Sequence, residues 1–415
     1  MQLEAKRPKI RDVLHTAALA LLIVPTAAKA QSDPGDRIDF TSLLYGEQGR
    51  TQVVEPLVRF THFMDGGQSL FAELGVDVIT GASPTGAVPS GQIQTHTSPS
   101  GRVITSPAGQ IPTSPFSDRR FGLDLGWQKP WGRFVTSNLG GHFSREKDYQ
   151  SLGINGKIST DVWRRLFTVT VGGGINRDTV FPIGGTVEGL SPGLVISHDK
   201  NRKNVSDVLF GVSHIMSRRW MLGVDASRTW ENGYLTEPYK VLSVMNQSGV
   251  PVSQLNEARP STRDRSSLLF SSVYHFTNDI LYSSYRYYWD NWDLRSHTLD
   301  LKYRHPISDD TYIEPLFRYY TQSAASFYTA GLVQGAPLPQ FASADYRLGD
   351  LQTITIGATI GYHPEESPGE WTLRAQYIQY AGNSSPPGAI GIQENFDLVP
   401  PVNTYAFSIG YSFNY

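Results

Sequence analysis

Tyr405-Ala406-Phe407-Ser408-Ile409-Gly410-Tyr411-Ser412-Phe413-Asn414-Tyr415 closes the chain, and it alternates without a break. Tyr405, Phe407, Ile409, Tyr411, Phe413 and Tyr415 share one face; Ala406, Ser408, Gly410, Ser412 and Asn414 share the other. Period-two alternation puts successive side chains on opposite faces of a strand. Strands of soluble domains are usually about half this long, whereas a tilted strand crossing a bilayer needs about ten residues. An aromatic residue at the end fits the interfacial girdle of a transmembrane barrel.

Similar segments recur upstream, and sixteen are expected: near 40–48, 53–64, 70–80, 118–128, 133–145, 149–161, 166–178, 203–216, 220–231, 265–276, 280–290, 297–305, 312–323, 351–363, 371–382 and 403–415. The links between them test the reading. Alternate links are short, as at Asp65-Gly66-Gly67-Gln68, Lys129-Pro130-Trp131-Gly132, Ser217-Arg218-Arg219 and Thr277-Asn278-Asp279. Every long link, at 81–117, 179–202, 232–264, 324–350 and 383–402, falls on the other side. Short periplasmic turns and long external loops are the outer-membrane pattern. The expected fold is therefore all-β: a transmembrane antiparallel β-barrel of about 16 strands. The final strand must pair with the one near 40–48 to close it. The loop at 81–117 is rich in Pro, Ser, Thr and Gly and is expected to be extended or partly disordered.

The start of the chain reads as an export signal. Lys6, Arg7, Lys9 and Arg11 precede the apolar stretch from Val13 to Pro25, and Ala28-Lys29-Ala30 is an A-x-A cleavage site. Residues 1–30 are read as a cleaved leader and 31–415 as one barrel domain in the outer membrane of a Gram-negative cell. The leader carries five Lys/Arg and two Asp/Glu, so 31 basic residues then face 36 acidic ones, a balance of −5. No basic patch is visible, which speaks against nucleic acid. The absence of cysteine excludes disulfides and thiol chemistry. The chain holds 21 Tyr, 19 Phe and 8 Trp yet has no apolar run long enough for a helical span.

In a membrane barrel the apolar face meets lipid and the polar face lines the lumen. Leu281, Tyr285, Tyr287 and Trp289 face lipid, which turns Arg286 and Asp290 inward. Leu299, Leu301 and Tyr303 do the same for Asp300, Lys302 and Arg304, as Ile313, Phe317 and Tyr319 do for Glu314 and Arg318. This cluster, Arg286, Asp290, Asp300, Lys302, Arg304, Glu314 and Arg318, is the candidate lumen site. Glu55, Arg59, Glu73, Asp77, Asp124, Lys157, Asp161, Asp225 and Arg374 also fall on the polar face. Opposed charges in a lumen either set up a transverse field that sorts solutes or pair and fill the interior. Sixteen strands leave room for water, unlike eight.

His142, Ser144 and Asp148 are the candidates for hydrolysis, but side chains two apart on a strand run parallel, and a triad needs convergence. Gly172-Gly173-Gly174 has no following helix and is read as close packing, not a phosphate loop. The ten His are dispersed, without metal-ligand spacing. The aromatic run from Tyr285 to Trp292 is read as a girdle in preference to a sugar platform. No cofactor is expected.

Several stretches carry a family likeness: Gly81-Ala82-Ser83-Pro84, Tyr234-Leu235-Thr236-Glu237-Pro238-Tyr239-Lys240, Glu257-Ala258-Arg259-Pro260, Tyr285 through Trp292, Arg295-Ser296-His297-Thr298, and Arg318 through Ala325. In these the chain resembles a bacterial outer-membrane β-barrel family known only as a domain of unknown function, number 3570. The resemblance implies an outer-membrane location, contact with outer-membrane lipid and insertion by the barrel-assembly machinery. It also implies a link to envelope redox maturation through a periplasmic redox protein or lipoprotein partner, and it supplies no catalytic residues. Two of the stretches lie in the external loop 232–264, where their charges are placed to cap or gate the mouth. The leading expectation is a pore or transport scaffold. The alternatives are a non-conducting structural or adaptor barrel and an outer-membrane hydrolase.

Overall fold

The computed structural model describes residues 35–97, 103–191, 195–199, 201–365 and 367–415; the expected leader at 1–30 lies outside them. Sixteen strands form one closed antiparallel barrel. They are β1 (Arg37–Glu47), β2 (Thr51–Met64), β3 (Gln68–Pro84), β4 (Thr113–Trp131), β5 (Val135–Arg145), β6 (Tyr149–Val162), β7 (Phe167–Val180) and β8 (Asn201–Ser217). The ring continues with β9 (Trp220–Gly233), β10 (Thr262–His275), β11 (Ile280–Asp290), β12 (Arg295–Pro306), β13 (Thr311–Gln322), β14 (Leu351–Tyr362), β15 (Gly369–Gly382) and β16 (Val402–Asn414). Neighbours in sequence are neighbours in the sheet, and each expected segment is one of these strands. No helix among the described residues is long and apolar enough to cross a membrane; strands do the crossing.

The ring closes where the alternation required it. β1 pairs with β2 on one side and with β16 on the other, running from Arg37↔Asn414 to Glu47↔Thr404. Tyr415 completes the seam: its N–H donates to the Asp36 carbonyl at 2.9 Å, and its ring lies 6.5 Å from Phe60 across β1. Closure matters because an open sheet edge in hydrocarbon leaves backbone groups unsatisfied.

Exposure separates the two faces. Tyr405, Phe407 and Ile409 are 52, 49 and 45 % exposed, while Thr404 and Ala406 on the opposite face are buried. The same outward apolar rows recur at Phe40 and Leu44, at Leu70, Leu74 and Val78, and at Leu299 and Tyr303. Stacked aromatics mark the end of the terminal strands, with Trp371 4.4 Å from Tyr411 and Tyr411 5.4 Å from Phe413. At Gly173 the strands come close enough that a Cβ would stand 2.7 Å from the Asp207 carbonyl oxygen, so the glycine run is a packing device of the wall.

The main difference from expectation is at the external ends. β3 and β4 stay paired out to Pro84↔Thr113, so the long loop shrinks to 85–112. Backbone pairing outlasts the apolar band there, and hydrophobic alternation cannot register strand that stands in water. Nor is the rest of this loop merely extended: Gln94–Thr97 pairs with Val103–Ser106, and the Gly109 N–H donates to the Ser90 carbonyl at 2.7 Å to close the base of that hairpin. The repeated Gly-Gln-Ile at 91–93 and 109–111 brackets the hairpin rather than repeating a fold unit.

Candidate functional site

The external loops meet one another. The β3–β4 and β9–β10 links leave the ring six strands apart, and the β15–β16 link leaves it on a third side. Yet the Gln393 amide donates to Pro89 O at 2.9 Å and to Gly249 O at 2.8 Å, and the Val88 N–H donates to Ser243 Oγ at 3.1 Å. The Ala330 N–H donates to Pro387 O, the Leu190 N–H to Asn256 O, and the Tyr239 hydroxyl to Asp148 Oδ2 at 2.9 Å. Adjacent strands are about 4.8 Å apart, so loops from such distant points make contact only by crossing the barrel mouth. They form a cap. It descends between the strand ends, where the inward side chains Asp77, Asp118, Asp178, Ser296 and Thr404 are all buried.

The cap has its own core. Val241–Met245 pairs antiparallel with Pro251–Asn256 and parallel with Gly331–Val333. Leu242 and Met245 are fully buried; Leu190, Leu332 and Ala342 pack on the first, Val88 and Ala330 on the second. A third cluster joins Trp292, Ala325, Tyr328 and Leu348 beside the rim. Burying a Leu or Met side chain is worth about 1.5–3 kcal/mol, so the cap is a folded layer, not a fringe of loops. A cavity of about 40 Å³ lies beside Arg50, Lys240 and Tyr346, a size suited to water.

Six charges cluster in this layer, Glu237, Glu257 and Asp345 against Lys240, Arg259 and Arg347; Glu257, Asp345 and Lys240 are buried and the other three partly so. Arg259 reaches Glu257 at 2.6 Å and Asp345 at 2.9 Å. Arg347 holds Asp345 at 2.5 Å and stands 3.9 Å from Glu237. The Glu237 N–H donates to Glu257 Oε1 at 2.9 Å, Ser343 Oγ donates to the other Glu257 oxygen, and the Lys240 ammonium donates to Pro84 O and to Ser83 Oγ. Burial alone raises a carboxyl, but Arg347, then Lys240, hold Asp345 well below the usual carboxylate range. Burial dominates at Glu237, which is pushed up to about 7 against the pull of Arg347, and at Lys240, which is pushed down to about 8. Three acids balance three bases, and the most buried of them, Glu257 and Asp345, are tolerable there only while they are paired.

The candidate lumen residues divide. Arg318 pairs with Asp300 at 2.5 Å and Arg304 with Glu314 at 2.9 Å, each across neighbouring strands. Asp290 stands apart at the external rim. It accepts from Arg263 at 2.6 Å and from Tyr288 at 2.8 Å, and it holds the 291–294 turn through the N–H groups of Trp292 and Leu294. Arg286 and Lys302 form no ion pair among the described residues. Elsewhere on the inner face Arg120 pairs with Asp77 at 2.5 Å, Arg59 with Glu73 at 2.7 Å, and Arg374 donates to Thr359 at 3.0 Å.

Of the hydrolytic candidates, His142 bonds Asp124 at 2.7 Å, whereas Asp148 accepts from Tyr239 in the cap. Ser144 is buried on β5 opposite Gly122 and Ser151. The three are not assembled as a relay. Asp118, Glu146 and Asp148 bring carboxylate oxygens within 4.8 Å of one another at the rim.

The cap network escaped sequence reading in part. Glu237, Lys240, Glu257 and Arg259 stood in the quoted loop stretches, but Asp345 and Arg347 did not. A signal existed: Glu257-Ala258-Arg259 and Asp345-Tyr346-Arg347 share an acid-x-arginine spacing.

Barrels of known structure resemble this one only broadly. The ferric enterobactin receptor (PfeA) of Pseudomonas aeruginosa matches with a TM-score of 0.42 at 10 % identity, over 92 % of this chain and 60 % of the receptor. The Pseudomonas putida toluene transporter TodX gives 0.40 at 8 % identity, over 95 % and 93 %. The siderophore receptor PirA of Acinetobacter baumannii gives 0.41 at 9 %, over 85 % and 53 %. The chain thus spans little more than half the length of the siderophore receptors, and these scores carry no inference about cargo. No curated protein matches. A family model does, over residues 11–413, and on that match the chain belongs to the family described as Protein of unknown function (DUF3570).

Proposed function

We propose that this chain is an outer-membrane transport barrel for small hydrophilic solutes, closed at its external mouth by a folded cap. The observation that carries the reading is the solvent access of inward-facing charges below the cap. Arg304 and Arg318 are 38 and 39 % exposed although they point away from lipid, as is Asp124 at 41 %. Side chains that point into a closed ring and still meet solvent line a water-filled lumen. Both signs of charge line it, which suits polar cargo and repels apolar cargo. Passage then requires the cap to move, and its ion-pair network is the contact that must open.

Planar-bilayer conductance tests this on the full chain. Wild type is expected to show little or brief current, and Asp345→Ala, which removes the carboxylate that Arg347 and Arg259 share, a current raised several-fold. Both must first migrate as folded barrels by heat modifiability. A folded variant with a protease-sensitive cap and no current above the empty membrane would overturn the transport reading. A second reading, a non-conducting adaptor barrel that holds a periplasmic or surface partner, is favoured by the completeness of the cap, and that same outcome would establish it.

A further inference from the structure

The seven short turns of the barrel sort their charges by position. Three consecutive turns carry all the cations: Arg133 between β4 and β5, Arg164 and Arg165 between β6 and β7, and Arg218 and Arg219 between β8 and β9. The other four carry acids and no Lys or Arg, with Asp65, Asp279, Asp309, Asp310 and Glu365 among them. The mouth at this end is therefore basic along one arc and acidic along the rest.

The basic arc is continuous. The Arg165 guanidinium donates to Arg133 O at 2.8 Å, which ties the first turn to the second, and the Ile215 N–H donates to Leu166 O at 2.8 Å, which ties the second to the third. All five arginines are exposed, and none forms an ion pair among the described residues. Contrast the lumen and the cap, where arginine after arginine meets a carboxylate. Five like charges along one arc repel one another, so the arc is stabilised by anions that the chain itself does not supply.

Large apolar side chains interleave with these arginines on the outside of the barrel. Trp131, Met216 and Trp220 are 55, 46 and 38 % exposed, and Trp163 is 74 % exposed. Trp163, Arg164 and Arg165 form a run of left-handed residues at φ 45, 58 and 64°, a costly backbone for side chains other than glycine. The turn places two exposed arginines beside an exposed tryptophan. Arginine beside exposed aromatic residues at the end of an apolar band is the chemistry of a membrane interface. The apolar fringe also passes the acidic turns, at Phe276, Ile307 and Trp371, so it marks the level of the membrane interface around the ring, and the arginines of this arc stand at that level, within reach of lipid headgroups.

We infer that this arc binds the phosphate groups of anionic phospholipids in the periplasmic leaflet, with arginine forks on phosphate oxygens and the aromatic fringe among the acyl chains. The site is independent of whether the barrel conducts. It fixes the rotation of the barrel relative to its lipid shell, because only one arc holds anionic headgroups.

Native mass spectrometry of the full-length protein in detergent, with phosphatidylglycerol or phosphatidylcholine added, tests the inference. Wild type is expected to retain phosphatidylglycerol preferentially. The variant R164Q/R165Q/R218Q/R219Q is expected to lose that retention by about tenfold or more, from the attraction of each basic group to anionic lipid. The variant D309N/D310N, on the acidic arc, is expected to behave as wild type, and heat modifiability controls for folding. Equal retention of the two lipids by wild type would overturn the inference. So would retention unchanged in the arginine variant. Binding of polyglutamate, in place of phosphatidylglycerol, through the same arginines would also overturn it and assign the arc to an acidic protein.

Discussion

The wall and the cap are both rich in ion pairs, but they use them differently. In the wall, Arg318–Asp300 and Arg304–Glu314 join neighbouring strands whose register backbone hydrogen bonds already fix. Removing one pair leaves the strand in place. In the cap, Arg259 and Asp345 lie 86 residues apart on different loops, and a single backbone bridge, Ala258↔Ala342, joins those loops beside the contact where the wall has a strand-length ladder. There the ion pairs are part of what assembles the layer. The difference teaches that charge in this protein is local chemistry in one region and tertiary structure in the other.

Asp345→Ala presses hardest on that contrast. It leaves Arg347 and Arg259 without their shared partner, and breaking a buried pair from one side costs about 3–5 kcal/mol. The expected result is rapid proteolysis within 234–261 and 323–350, with the heat-modifiable barrel band unchanged. A barrel that melts together with the cap would show that the two regions are one cooperative unit and would erase the distinction.

Leu242→Ala tests the same layer without touching charge. The side chain is fully buried against Leu190, Leu332 and Ala342, and large-to-small changes at such sites cost about 2–5 kcal/mol. The cap is expected to open nearly as far as with Asp345→Ala, read as hydrogen exchange of its amides. Protection equal to wild type would mean that the ion network alone holds the cap.

The same contrast explains what was legible in the sequence. In the wall every second residue reports its face, so Tyr405 to Tyr415 and the fifteen upstream segments could be placed, and with them the closing pair of β1 and β16. Parity alone also proposes which charges face inward. It does not propose their pairing, because parity assigns a face and not a partner: Asp290 looked like a neighbour of Arg286 and Asp300 but serves Arg263 and the 291–294 turn. The cap has no period. Its members come from five long loops and the short links that hold Asp148 and Trp292, its strands are three to six residues long, and buried Glu257 or Asp345 reads in sequence as an ordinary loop charge. Only the stretches shared with the family pointed there, without saying that Lys240 would meet Ser83 and Pro84.

In the wall, Arg318→Ala is expected to cost far less than any cap change. Arg318 is partly solvated, so its attraction to Asp300 is screened, and about 1 kcal/mol is expected. Urea unfolding of the barrel in vesicles measures it, and a double-mutant cycle with Asp300→Ala isolates the pair. A coupling as large as that of the cap network would mean that the lumen charges, too, assemble the fold.

The smallest effect is a pH dependence confined to the cap. Burial raises Glu237 from its ordinary value to about 7. An acid whose folded value lies above its unfolded one stabilises the folded state fully below the unfolded value, and this is lost as pH rises through the folded value. The cap is therefore expected to be better protected at pH 5.5 than at pH 7.5. Asp345 does not interfere in this window, because its depressed value puts its loss of stability at far lower pH. Lys240, lowered by burial to about 8, acts on the alkaline side: its contribution is complete above the ordinary lysine value and falls away as pH drops through 8. Protection should thus pass through a minimum near neutrality. Glu237→Gln removes the acid limb alone, so hydrogen exchange of the cap in that variant should be flat from pH 5.5 to 7.5, once corrected for the intrinsic exchange rate. A variant that keeps the wild-type slope would transfer the titration to another group, and a wild type without slope would mean that Glu237 stays ionised in its pairing with Arg347. Wall amides, measured in the same experiment, should not move in either protein.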